Sequence, residues 1–123
     1  MTKLSLSGCT ILVVEDEYLL ADDLCSELAD RDATVVGPAA TVEQGVALLE
    51  ESGDLNGAIL DVNLRGEPVF PLADALMARN VPFVFTTGYD ASAIPERFDH
   101  VSRCEKPVHI GRVVEAIGRA THS

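Results

Sequence analysis

Four polar segments, each closing a short apolar run, are the residues of this 123-residue chain best placed to do chemistry. Glu15-Asp16-Glu17 follows Thr10 to Val14, Asp61 follows Gly57 to Leu60, Thr86-Thr87 ends the run from Phe83, and Glu105-Lys106-Pro107 follows His100 to Cys104. Carboxylates gathered in a partly desolvated crevice repel one another, and a hard divalent cation relieves that repulsion. Mg2+ suits Glu15, Asp16 and Asp61, because it takes a few oxygen ligands and keeps several waters. An Asp carboxylate is also a nucleophile toward phosphorus when a metal and a cationic side chain offset the charge building on the transferring oxygens. Lys106 can supply that side chain, with Pro107 biasing it toward an extended backbone. Thr87 offers a hydroxyl donor to a phosphate oxygen.

These residues need a scaffold that brings four distant segments to one edge. The apolar runs are rich in β-branched residues and alternate with stretches of helical periodicity, which is the pattern of repeated βαβ units. Strands are expected at Thr10–Val14, Ala33–Val36, Gly57–Leu60, Phe83–Thr86 and His100–Cys104, most of them buried on both faces. Helices are expected from Tyr18 to Ala29, from Val42 to Glu50 behind a Thr41/Gln44 capping box, from about Val69 to Ala78, and from about Ile110 to Ala120. The segment after Tyr89 is the weakest helix, because Ala91 to Ile94 is short and Pro95 follows at once. The expected fold is α/β, a doubly wound, flavodoxin-like (βα)5 unit with a five-stranded parallel sheet and helices on both faces, using residues 1–123 as one domain. In such sheets the functional groups collect at the carboxyl ends of the strands, where the strand order reverses.

Composition narrows the function classes. Twenty acidic residues against nine basic ones give a formal charge of −11, a field that repels nucleic acids and anionic lipids and attracts divalent cations and basic protein patches. Cys9, Cys25 and Cys104 form neither a disulfide framework nor a zinc motif, which fits a reducing cytoplasm. No signal peptide or membrane span is expected, since the apolar run from Ile11 stops at Glu15. Only 5% of residues are aromatic, so an aliphatic core is expected. His100, His109 and His122 lie apart and read as ordinary histidines, and Cys25 reads as packing on a helix face.

The segments Ile11-Leu-Val-Val-Glu-Asp-Glu17, Ala58-Ile-Leu-Asp-Val-Asn-Leu64, Pro82-Phe-Val-Phe-Thr-Thr-Gly88 and Glu105-Lys-Pro107, in that order, resemble the receiver domains of two-component response regulators. The resemblance implies that Glu15 and Asp16 are the acidic pair, Asp61 the phosphoacceptor, Thr87 the switch hydroxyl and Lys106 the conserved-type lysine. It also implies that Asn63 binds Mg2+ through its main-chain carbonyl, alongside Asp16 and Asp61, with Glu15 holding a metal-bound water. The implied donor is a histidine kinase or a histidine-containing phosphotransfer protein, and the implied output is a contact with a downstream protein. Such a domain is a phosphoacceptor and not an enzyme in the ordinary sense. Arg103 stands where most of the family has an aromatic switch residue, and Arg65 stands where a proline is common. Phe85-Thr-Thr-Gly-Tyr89 is similar to the Phe-Ala-Thr-Gly-x-Tyr segment of an atypical stand-alone subgroup, in which Tyr89 is a candidate for the missing aromatic.

Plainer readings compete with each residue taken alone. Glu15, Asp16 and Glu17 are also favourable charges for a helix N-terminus, Thr86 and Thr87 ordinary strand residues, and Lys106 a solvated lysine. Asp61 resists that treatment, because Asp is disfavoured beside a buried strand unless the position serves a site. A phosphorylation-independent interaction module keeps the fold without the chemistry. An aspartyl-nucleophile phosphatase fits less well, since Asp61-Val62-Asn63 lacks a second carboxylate to act as general acid. No phosphate-binding glycine loop is present.

Overall fold

The computed structural model describes residues 4–88 and 94–122. Five strands, β1 (Thr10–Val14), β2 (Thr34–Ala39), β3 (Gly57–Asp61), β6 (Phe83–Thr87) and β7 (Arg103–Glu105), form an all-parallel sheet in the order β2-β1-β3-β6-β7. A small antiparallel hairpin, β4 (Asn63–Leu64) with β5 (Glu67–Pro68), interrupts the connection after β3. The helices are α1 (Tyr18–Asp30), α2 (Val42–Glu51), α3 (Phe70–Ala78) and α4 (Ile110–Thr121). This is the doubly wound, flavodoxin-like architecture expected from the sequence.

Strand alternation explains the two layers, because successive side chains point to opposite faces. Ile11, Val13, Ile59 and Val84 join Leu24 and Leu28 of α1 and Val113, Val114 and Ile117 of α4 in one cluster. Leu12, Val14, Leu60 and Phe85 join Leu49 of α2 and Leu72 and Leu76 of α3 in the other. The first cluster has no phenylalanine in it. The second departs from the aliphatic expectation: all four phenylalanines of the chain meet there, with Phe98 lying 5.6 Å from both Phe70 and Phe85 and 6.1 Å from Phe83 between ring centroids. A low aromatic content does not prevent the few rings from packing together.

Local signals held at several boundaries. Thr41 accepts a hydrogen bond at 3.1 Å from the Gln44 N–H at the start of α2. The Gln44 side chain returns to the N–H of Ala40 at 2.8 Å, so the box closes one residue earlier than its usual form. The fifth strand is shorter than expected and starts at Arg103, because a turn at Glu96–Phe98 and the residues after it carry the chain to the sheet edge. Tyr89 and Ala91 to Ala93, at the start of the weak helical segment, lie outside the described residues; Ile94 is buried beyond them. No helix among the described residues is long and apolar enough to cross a membrane.

Candidate functional site

β1 lies between β2 and β3, so the strand order reverses there and a crevice opens beyond the carboxyl ends of β1 and β3. Glu15 follows β1 directly and Asp61 is the last residue of β3; both are only 3% exposed. Carboxylate oxygens of Glu15, Asp16 and Asp61 all fall within 4.8 Å of one another. A cleft of about 340 Å3 is lined by Asp16 and Asp61 of this trio, with Glu17, Asn63, Arg65, Thr87 and Lys106.

Lys106 is the hub. Its Nζ lies 2.8 Å from Asp61 Oδ2, 2.9 Å from Glu17 Oε2 and 3.4 Å from Glu15 Oε2. Burial pulls its pKa down, but hydrogen bonds to Asp61 and Glu17 and the attraction of the Asp61 and Glu15 charges outweigh burial and hold it above the ordinary lysine range. It stays an ammonium. The Lys106–Pro107 peptide is cis. The other Asp61 oxygen, Oδ1, accepts from the N–H of Asn63 at 3.0 Å, so the carboxylate is held at both ends.

Glu15 carries the electrostatic strain of the cleft. Burial, a side-chain hydrogen bond with Asp61 and repulsion from the Asp61 charge push its pKa up to about 8 from 4.5, against the pull of the Glu17 N–H and of Lys106. Its Oε2 accepts from the N–H of Glu17 at 3.1 Å, and Thr86 Oγ1 lies 3.5 Å from its Oε1. A carboxyl group driven toward neutrality by its neighbours is one that a cation would return to the ionised form. The donor set therefore fits a hard divalent ion.

Thr87 is buried, and its hydroxyl has no hydrogen-bond partner among the described residues. Leaving such a group unpaired costs about 1–3 kcal/mol, so the position is suited to an acceptor that arrives from outside. Glu15, Asp16, Asp61, Thr87 and Lys106 thus meet at one cleft. Asn63 meets them through its backbone N–H, while its side-chain oxygen accepts from the Gly66 N–H at 2.6 Å.

Over nearly its whole length the chain matches SdrG from Sphingomonas melonis Fr1, solved in solution: 40% identity, 95% of this chain, 98% of that one, TM-score 0.75. The chain belongs to the receiver-domain family of response regulators. A second solution structure, the BeF3-activated conformation of SdrG from Pseudomonas melonis Fr1, is 39% identical over the same shares with a TM-score of 0.71. A response regulator receiver protein from Sinorhizobium medicae WSM419 is 23% identical, covers 97% of this chain and 98% of its own, and agrees in fold with a TM-score of 0.76. No protein-family model and no curated protein matches the sequence.

Two contributors to the receiver cleft escaped the sequence reading. Glu17, the residue before α1, makes no side-chain cap; its carboxylate goes to Lys106 instead. The signal was the third acid of the run, which looked like a spare helix charge. Arg65 was noted only as a replaced proline. It sits with Gly66 at the tip of the β4–β5 hairpin, with φ of 55° and 89° at the two residues, as a two-residue type I′ turn requires. That turn holds the Arg65 guanidinium 3.9 Å from Asp16 Oδ2. Arg103 is exposed on the edge strand, and Tyr89 lies outside the described residues.

Proposed function

We propose that this receiver domain accepts a phosphoryl group on Asp61 from a phosphohistidine of a histidine kinase or histidine phosphotransfer protein, and that the modified site alters a protein-binding surface. The observation that carries the reading is the environment of Asp61: an ammonium on one oxygen, a backbone N–H on the other, carboxylates beside it, and an unpaired buried hydroxyl at Thr87. That SdrG, 39% identical, has a BeF3-activated conformation supports it, since beryllofluoride on a carboxylate imitates a phosphoryl group.

In the transfer, an Asp61 oxygen forms the new O–P bond as the donor's N–P bond breaks, and the bonding pair returns to the imidazole nitrogen. Lys106 moves from the carboxylate to a phosphoryl oxygen without changing its charge. Thr87 donates its hydroxyl hydrogen to another, and its backbone at the end of β6 is drawn with it. Asp16, Asp61 and the Asn63 carbonyl are the groups that would hold Mg2+, with Glu15 bonding to its water. When bound, the ion offsets charge on the transferring oxygens.

The first turn of α1 offers a place for the donor to dock, because Tyr18 and Leu19 are 81% and 76% exposed beside a groove lined by Leu20, Val108 and Ile110. Three free cysteines suit a cytoplasmic protein. The exposed Arg103 supports an atypical readout that lacks a strand aromatic.

Incubation with Mg2+ and acetyl phosphate, followed by intact-mass measurement, tests the reading. The wild type is expected to gain one phosphoryl group that hydroxylamine removes, and Asp61→Asn none. If the wild type gains nothing from acetyl phosphate or from any phosphohistidine donor, the chain is a phosphorylation-independent interaction module.

A further inference from the structure

Glu17 directly precedes α1, where an acid ordinarily accepts from the first-turn N–H groups and gains from the helix dipole. It makes no such cap. Its own N–H donates to Glu15 Oε2 at 3.1 Å, which fixes where its side chain leaves the backbone, and its carboxylate crosses to Lys106 Nζ at 2.9 Å. The Lys106 N–H in turn donates to the Thr87 carbonyl at 2.7 Å. The lysine is thus tied at both ends, its backbone to the last residue of β6 and its ammonium to the residue ahead of α1.

An ammonium has three N–H donors, and three carboxylates surround this one, but they are not equivalent. Asp61, at 2.8 Å, is the proposed nucleophile. Glu15 is farther, at 3.4 Å, and belongs with Asp16 and Asp61 to the trio of carboxylates close enough to share a metal ion. Glu17 stands outside that trio. Of the three it is the short partner that neither phosphoryl transfer nor a metal ion would draw away. A lysine ammonium rides on a flexible four-carbon stem, so once an Asp61 oxygen is bonded to phosphorus, it keeps its aim only if another acceptor holds it.

We infer that Glu17 is a positioning residue for phosphoryl transfer, holding the Lys106 ammonium where the transferring oxygens arrive. The inference rests on the proposed phosphorylation of Asp61. It predicts the opposite of what charge alone would do. The Glu17 side chain is 59% exposed and lines the same cleft as Asp61, so its carboxylate repels an anionic phosphodonor, and neutralising it would by charge alone ease the donor's entry and quicken the reaction. If Glu17 aims Lys106, its loss slows the transfer step itself, whatever happens to the donor's affinity.

The experiment measures the phosphorylation rate of the full chain across a range of acetyl phosphate concentrations at fixed Mg2+, for the wild type, Glu17→Ala, Glu17→Gln and Asp22→Asn. Each variant is first shown to keep the wild-type urea unfolding transition. For Glu17→Ala the saturated rate is expected to fall about tenfold, with the half-saturating donor concentration unchanged or lower. Glu17→Gln keeps the length but offers a weaker, uncharged acceptor, so its rate should lie between those of Glu17→Ala and the wild type. Asp22→Asn removes an exposed charge from the same helix and should stay within about twofold of the wild type. In the metal-free protein at low temperature, the nitrogen–proton correlation signal of the Lys106 ammonium should be visible in the wild type and in Asp22→Asn and broadened away in Glu17→Ala, where exchange with water is no longer slowed. A saturated rate for Glu17→Ala equal to or above the wild type, equal slowing in Asp22→Asn, or an undisturbed ammonium signal in Glu17→Ala would each overturn the role of Glu17. A wild type that takes up no phosphoryl group overturns the reading of Asp61 as phosphoacceptor, and the role of Glu17 with it.

Discussion

Glu15 makes the stability of the metal-free protein depend on pH in the direction opposite to most carboxylates. Its pKa is raised to about 8 in the fold from 4.5 when unperturbed. Between those values the native state holds more of this proton than the unfolded state does, so stability falls as pH rises. The contribution is complete below the unfolded value and is lost as pH passes the folded one. Between about pH 6 and pH 8.5 the unscreened loss approaches roughly 3 kcal/mol, at ~1.4 kcal/mol per pH unit of separation. The cleft is open at its mouth, and solvent screening reduces that to about 1–2 kcal/mol. Lys106 is raised above its ordinary value and loses its proton only at higher pH, while the Cys25 and Cys104 thiols are pushed above 9.0, chiefly by burial.

Urea unfolding in the presence of a chelator, followed by circular dichroism at both pH values, measures the effect. The wild type is expected to lose about 1–2 kcal/mol across the window. Glu15→Gln, which keeps a neutral hydrogen-bonding group, should lose little. With excess Mg2+ the slope should shrink or reverse, because a bound cation favours the ionised form. Equal stability of the chelated wild type at the two pH values, or an undiminished slope in Glu15→Gln, would refute the assignment of the strain to Glu15.

Replacing Thr87 by valine removes an unpaired buried hydroxyl at almost constant shape. Urea titration of the unphosphorylated protein should therefore show a change from neutral to about 1 kcal/mol of added stability, whereas the conformational response to BeF3, followed by amide chemical shifts, should be lost. Arg65→Ala frees Asp16 from a competing cation, so calorimetry should record a severalfold tighter Mg2+ Kd, with Arg65→Lys close to wild type. Phe98→Ala opens a cavity among four rings and should cost about 3–5 kcal/mol in unfolding free energy; a loss under about 1 kcal/mol would mean that the ring cluster does not hold the turn at Glu96–Phe98.

The parts of the molecule readable in advance are those where local chemistry and burial agree. β1, β3 and β6 lie inside the sheet with helices on both faces, and their unbroken apolar runs left no competing reading. Thr41 and Gln44 marked the start of α2 because a cap is a purely local device. The edge strand was harder. β7 has one neighbour and only half-buried or exposed residues, so the run His100 to Cys104 carried little periodic signal, and Val101 is buried in the turn that precedes the strand rather than in the strand itself. Within the site, Glu15, Asp16, Asp61 and Lys106 were legible because strand ends dictate where they must go. Glu17 and Arg65 were not, because their roles depend on side-chain direction across the cleft and on a two-residue turn whose positive φ values fall on an unremarkable Arg-Gly pair.

The charge balance of the cleft connects the stability argument to the signalling one. Glu15, Asp16, Glu17 and Asp61 face Lys106 and Arg65, so four carboxylates meet two cations. The metal-free fold reduces the excess by keeping a proton on Glu15; a divalent ion would remove it by releasing that proton. The proposed phosphorylation of Asp61 would return negative charge to the same place, and among the described residues Lys106 and Thr87 are positioned to answer it. Lys106 can transfer its hydrogen bond from the Asp61 carboxylate, since Glu17 and Glu15 already share it, and Thr87 has a hydroxyl with nothing else to bind. Lys106 answers from a side chain that is already held in place. Thr87, the last residue of β6, would have to rotate or translate to reach a phosphoryl oxygen, so in the proposed transfer it is the group whose position changes.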